Sequence, residues 1–213
     1  MSSLLVPRVN IATGKFNYFQ MQNSLVDLPW HSISQVNWPQ SYPYKPLVNF
    51  QIAHDDETLY VHFAVEEEFI KAQYIRPNEA VWEDSCVEFF ISFDRKQTYY
   101  NLEFNVLGTG LIGYGSSIKS QRKRLSSQEI ERVKTATSVV SAQGRKTWST
   151  IWAVPVATFQ AAKITSFAQL KGHCNLYKCG DELPNAHFVS WNQIDNPTPN
   201  FHLPNFFGEI NFE

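Results

Sequence analysis

Residues with stacking or hydrogen-bonding side chains crowd into the stretch AVWEDSCVEFFISFD, residues 80–94, which holds Trp82, Glu83, Asp84 and Glu88. Further on, TYYNLEFNVLGTG carries Glu103 and Asn105 at alternate positions. Two chemistries suit such a set. Carboxylates and amides accept and donate hydrogen bonds in pairs, which is what adjacent hydroxyls of a sugar ring require. Two carboxyls can also serve as acid and base in glycoside hydrolysis, about 5–5.5 Å apart for retention or about 6.5–9.5 Å for inversion. A nearby tryptophan offers a flat face on which the C–H side of a sugar ring packs.

The elements that must position these groups read as strands. Val87, Phe89, Ile91 and Phe93 share one face and Glu88 takes the other. Tyr100, Leu102, Phe104 and Val106 share a face, with Tyr99, Asn101, Glu103 and Asn105 opposite. If the two strands are neighbours, Glu88, Glu103 and Asn105 form one polar patch behind an apolar core. The same alternation also describes an ordinary water-facing sheet. A second aromatic across a cleft from Trp82 is available in WNQIDNPTPNFHLPNFFGEI. There Trp191, Phe201, Phe206 and Phe207 are interleaved with prolines that fix loop shape.

Strand signals recur from about residue 47. LVNFQIAHDDETLYVHFAVEEE reads as a hairpin, with Leu59, Val61, Phe63 and Val65 inward. FIKAQYI, LIGYG, VKTATSVVS, KTWSTIWAVP, HCNLYKC, AHFVSW and FFGEINFE read as further strands, and VATFQAA as a helical turn or two. Ser126 with Glu129 fits a capping box, so a short helix starts there. The basic cluster Gln121–Arg124 reads as a solvated loop. The expectation is all-β: an antiparallel β-sandwich with one or two short helices in its connections, forming one domain over 1–213. Residues 1–45 are expected to be an irregular wrap over one end, anchored by Trp30 and Trp38.

With 20 acidic and 18 basic residues, the 213-residue chain has no field to draw it to nucleic acid or an anionic membrane. No run approaches the ~20 apolar residues of a membrane span. The start, MSSLLVPRVN, lacks the pattern of a secretion signal. It reads as a cytoplasmic chain, or a periplasmic one from which a leader has been removed. Cys86, Cys174 and Cys179 are an odd count and not a disulfide framework. His173, Cys174 and Cys179 lack the spacing of paired zinc ligands and read as ordinary buried residues.

The pieces DDETLYVHFAVEE, VWEDSCVEFFISFD, YYNLEFNVLGTG, WSTIWAVP, NLYKCGDELPNAHFVSWNQI and FHLPNFFGEINF occur in the order seen in one family. Over roughly residues 45–213 the chain resembles the family 9 carbohydrate-binding modules and the stand-alone bacterial proteins grouped with them. The resemblance implies a β-sandwich that binds a mono- or oligosaccharide without cleaving it. Two aromatics would sandwich a terminal sugar ring. The first falls on Trp82 and the second on Phe201, where the family has tryptophan. Glu88 matches a polar ligand residue, and Glu103 and Asn105 match a glutamine and an arginine. Asn105 carries no charge where the family places a cation, and Thr198 stands in place of an asparagine. The resemblance also implies a possible structural calcium, for which Asp55, Asp56 and Asp94 are the candidates; no other cofactor is expected.

Three other functions stay open on the sequence. Glu88 and Glu103 suit a glycosidase. A haem site would draw on Met1 or Met21 with His62, His173, His187 or His202. An interaction subunit would use the aromatic-rich tail as a contact patch.

Overall fold

The computed structural model describes residues 2–11 and 16–213. Chain order is β1 (Ser3–Val6), α1 (Tyr18–Ser24), β2 (His31–Ser32), β3 (Gln35–Val36), β4 (Leu47–His54), β5 (Thr58–Glu66), β6 (Cys86–Ser92) and β7 (Tyr99–Asn105). Then come β8 (Gly110–Gly115), β9 (Lys123–Arg124), α2 (Ser127–Ile130), β10 (Lys134–Ala142) and β11 (Arg145–Pro155). The chain closes with β12 (Lys171–Cys179), β13 (Phe188–Ser190) and β14 (Gly208–Phe212).

Two sheets form an all-β sandwich. The first runs β1-β14-β12-β6-β7-β8-β9, with β13 and then β3 continuing from β12. The second runs β10-β11-β5-β4-β2. Pairing is antiparallel except between β1 and β14, which are parallel with Ser3 opposite Glu209. The inward rows named from the sequence meet between the sheets. Val87, Phe89, Ile91, Tyr100, Leu102, Phe104 and Val106 pack against Leu59, Val61, Phe63 and Val65. Trp152 bridges the layers, 4.8 Å from the Phe63 ring and 4.6 Å from the Phe104 ring.

Local chemistry sets the turns. Asp55 Oδ1 accepts from the backbone N–H groups of Glu57 and Thr58, closing the β4–β5 hairpin. Gln143 and Gly144, both at positive φ, make the two-residue β10–β11 turn, which the twist of the strands favours. Ser126 and Glu129 form the capping box of α2.

Two expectations need correction. FIKAQYI is not a strand; it is irregular backbone leading into the loop before β6. Its donors go to side chains instead of a ladder: Asp84 accepts from the Gln73 and Tyr74 N–H groups at 3.0 Å, Ser85 Oγ from Lys71 at 3.2 Å and Glu79 from Ile75 at 2.9 Å. The N-terminal wrap is also more regular than expected. Leu4 and Val6 of β1 enter the inter-sheet core. Met21 and Leu25, from α1 and its end, cover Ala53, Tyr60 and Ile151 on the outer face of the second sheet. Trp38 is buried, but Trp30 is 47 % exposed and anchors nothing in the core.

Candidate functional site

The outer face of the first sheet is covered unevenly. Trp38, Ile194, Phe201 and Phe207 pack over Phe90, Tyr99 and Tyr177. Beside that lid a cavity of about 640 Å³ stays open, within the usual size of a small-molecule site. Its floor holds Glu88 and Glu103, two of the three residues of the expected polar patch. β6 and β7 are neighbours, and Glu88 lies directly opposite Glu103 in the register. Directly opposed side chains have Cβ atoms about 4.5–5.5 Å apart, so the two carboxyls lie side by side. They are only 4 % and 5 % exposed.

Burial raises the pKa of both carboxyls well above the usual range, and their mutual repulsion pushes Glu88 the same way. Hydrogen bonds and the nearby cations Arg122, Arg124 and Lys178 oppose this. Asn101 Nδ2 donates to Glu103 Oε1 at 2.7 Å, and the Cys179 thiol lies 3.0 Å from Glu88 Oε1. Asp181, on the cavity wall, is raised to about 6, first by burial and then by nearby Glu83.

Trp82 sits in a single 3-10 turn, Val81–Glu83, and is only partly buried against the lid. Its carbonyl accepts from the Asp181 N–H at 3.2 Å, which ties the loop to the end of β12. Tyr74 donates its hydroxyl to Glu83 from the other side. Phe201 also borders the cavity, but at 8 % exposure. One face of its ring is covered by Tyr177, with centroids 4.1 Å apart and planes 12° from parallel. The two aromatics are thus brought to one cavity unequally, Trp82 half-buried and Phe201 largely set into the lid.

Asn105 and Trp191 do not reach the cavity. Asn105 is fully buried and bonded on both sides of its amide. Nδ2 donates to the Tyr74 carbonyl at 2.8 Å and to Asp84 at 2.9 Å, and Oδ1 accepts from the Leu107 and Thr109 N–H groups at 3.1 Å. It lies at the end of β7, where the strand turns away from the open area, and it braces the loop carrying Trp82. Trp191 falls on the core side, edge-on to Phe50 at 6.1 Å, because alternation along β13 sends Phe188 to the cavity and Val189 to the core.

The cations of the site come from an unexpected place. The cluster read as a solvated loop turns back along β8, where β9 pairs Arg124 with Gly113 and Lys123 with Tyr114. Lys119, Arg122, Lys123 and Arg124 form one wall of the cavity. Gly115, at φ 148°, permits the close return, since a Cβ there would meet the Gln121 carbonyl oxygen at 2.7 Å. The Arg122 guanidinium stacks on Tyr99 at 4.0 Å and donates to the Gly115 and Ser116 carbonyls and to Asn101 Oδ1. His202 lines the same cavity, its Nδ1 2.9 Å from the Tyr99 hydroxyl, with its pKa lowered to about 4 by burial.

The metal and haem candidates go elsewhere. Asp55, Asp56 and Asp94 belong to turns: Asp55 binds Tyr60, Asp56 pairs with Arg8, and Asp94 accepts from Ser92 and Thr98. Among the described residues they are not gathered into one cluster. Cys174 packs between the sheets while Cys179 faces the cavity, as residues an odd number apart on one strand must. Both ring nitrogens of His62 are engaged, by Gln51 and Ser149, and His187 is buried beside Lys178. Met21 is packed under α1, and Met1 lies outside the described residues. The aromatic tail is no contact patch, because Phe201 and Phe207 are buried in the lid.

A model of carbohydrate-binding family 9 matches residues 20–212. The chain belongs to that family. Family 9 members are non-catalytic binding modules, which removes the footing of the glycosidase reading. Among solved structures, a candidate carbohydrate-binding protein from Bacteroides uniformis is 34 % identical, with 99 % of each chain covered and a TM-score of 0.91. A family 9 module from Caldicellulosiruptor kristjanssonii in complex with cellotriose is 13 % identical, covering 100 % of this chain and 94 % of that one, TM-score 0.64. The same organism's module in complex with glucose is 13 % identical, covering 100 % and 96 %, TM-score 0.62. These two share the fold with this family 9 chain. No curated protein matches it.

Proposed function

We propose that this family 9 protein binds the terminal ring of a mono- or oligosaccharide in the cavity over β6 and β7. Trp82 supplies the stacking face, and the edge of Phe201 limits the opposite side. Glu88 and Glu103 hydrogen-bond adjacent hydroxyls. The observation that carries this reading is the placement of a half-buried tryptophan and a buried carboxyl pair in one cavity. Carboxyl groups accept hydrogen bonds, and donate them when protonated, which suits hydroxyls that do both. The cellotriose and glucose complexes of the Caldicellulosiruptor modules support the choice of ligand class.

Calorimetric titration with a panel of neutral and acidic mono- and oligosaccharides tests it. A small ligand on a preformed cavity is expected to bind at roughly micromolar to millimolar Kd. Trp82→Ala is expected to weaken binding by about tenfold or more, the loss of one well-made aromatic contact in a small interface. A panel in which no member gives heat overturns the proposal.

A further inference from the structure

The cavity is lined by groups of both charges, and Asn101 bridges them, donating to Glu103 and accepting from Arg122. Its lining carries Glu88, Glu103 and Asp181, and from the segment before and along β9 it carries Lys119, Arg122, Lys123 and Arg124. Among the described residues, none of these seven groups makes an ion pair with another within 4.0 Å. The basic groups are concentrated: four of the chain's 18 Lys and Arg residues line one cavity in a chain of net charge -2.

The wall is also pre-built. Arg122 is fixed by its stack on Tyr99 and by three donated hydrogen bonds. A guanidinium has five N–H donors, so two are left without a partner in these bonds. Lys119 and Lys123 side chains have no hydrogen-bond or ion-pair partner among the described residues, and Arg124 donates once, to the Asn78 carbonyl at 2.7 Å. Arg124 stands 5.8 Å from the Trp82 ring, so the stacking face and the positive wall are contiguous.

We propose that the preferred ligand is an acidic saccharide: its ring lies on Trp82, its hydroxyls meet Glu88 and Glu103, and its carboxylate or sulfate group is held by Arg122 with Lys119, Lys123 and Arg124. The proposal rests on the saccharide reading above and adds the charge of the sugar. Arg122 suits either anion because its fork donates two parallel hydrogen bonds to planar or tetrahedral oxyanions.

The experiment is calorimetry on the full chain at low salt with glucose, glucuronate and glucose 6-sulfate. The acidic sugars are expected to bind about tenfold tighter than glucose, as one charge-assisted contact implies. That advantage should shrink severalfold when salt is raised to about 0.3 M, since the wall is solvent-facing. Whichever acidic sugar binds tighter identifies the anion. Lys119→Ser with Lys123→Ser changes only exposed positions and is expected to cost the acidic sugars roughly tenfold. If glucose binds as tightly as both acidic sugars, or the double variant leaves their affinity unchanged, the charge proposal falls while saccharide binding stands. If none of the three binds, and the wider panel is equally silent, both proposals fall.

Discussion

At the scale of single residues, the carboxyl pair on the cavity floor couples stability to pH. Glu103 has its pKa raised from 4.5 to about 7 in the folded protein, chiefly by burial. A raised acid binds its proton more tightly when folded. Its stabilising effect is therefore complete below about 4.5 and is lost as pH rises through about 7. His202 acts in the opposite sense, since a histidine lowered to about 4 when folded favours unfolding as pH falls below its usual 6.5. A comparison with Glu103→Gln isolates the carboxyl. Thermal unfolding is expected to show the variant gaining on the parent protein as pH rises from 5 to 8; parallel curves would mean that Glu103 ionises freely in the fold. The polar identity of this floor was legible in the sequence, because period-two alternation sorts Glu88 and Glu103 from Phe89 and Phe104. Its burial was not, because the covering lid comes from residues far away in the chain, Trp38 on one side and Ile194, Phe201 and Phe207 on the other.

At the scale of elements, the Trp82 loop depends on a brace rather than on a ladder. Asp84 and Asn105 tie the run at Gln73 and Tyr74 to the end of β7. Asn105→Ala would leave the Tyr74 carbonyl and two loop N–H groups without their partner, at a cost of about 2–4 kcal/mol. Urea unfolding measures that cost. Loss of affinity for a bound sugar, in a variant whose residue never reaches the cavity, would mark Asn105 as a positioning residue. An unchanged midpoint would remove the brace from the account. The strand error at FIKAQYI has the same origin: apolar and aromatic residues in short order look like a strand, and nothing local shows that the donors go to side chains of Asp84, Ser85 and Glu79. The basic cluster at 121–124 was unreadable for a related reason. Charge alone indicates solvent, and only the return past Gly115 brings Arg122 onto Tyr99.

At the scale of the whole molecule, the sandwich rests on contacts across its two layers. Trp152 touches Phe63 on its own sheet and Phe104 on the other. Trp152→Ala is expected to cost about 3–5 kcal/mol, read from chemical denaturation, with little change if the layers are held chiefly elsewhere. The inter-sheet core was the most legible part of the chain, since each inward row is a run of alternating large apolar residues. The N-terminal region was the least legible. β1 is four residues long, and its role comes from a distant partner, β14. Removing residues 1–7 would expose β14 and withdraw Leu4 and Val6, and is expected to destabilise by about 3 kcal/mol or more, seen as a lower Tm.

The parallel seam between β1 and β14 has a consequence for engineering. Ser3 lies beside Glu209 and Val6 beside Phe212, so the first and last strands run together at the margin of a sheet, beyond the strands that floor the cavity. Strands rise about 3.3 Å per residue, so a bridge of a few flexible residues spans from Phe212 back to Ser3. A circularly permuted chain, joined there and reopened at the exposed Gln143–Gly144 hairpin tip, should keep its recognition surface and can carry a reporter at the new ends.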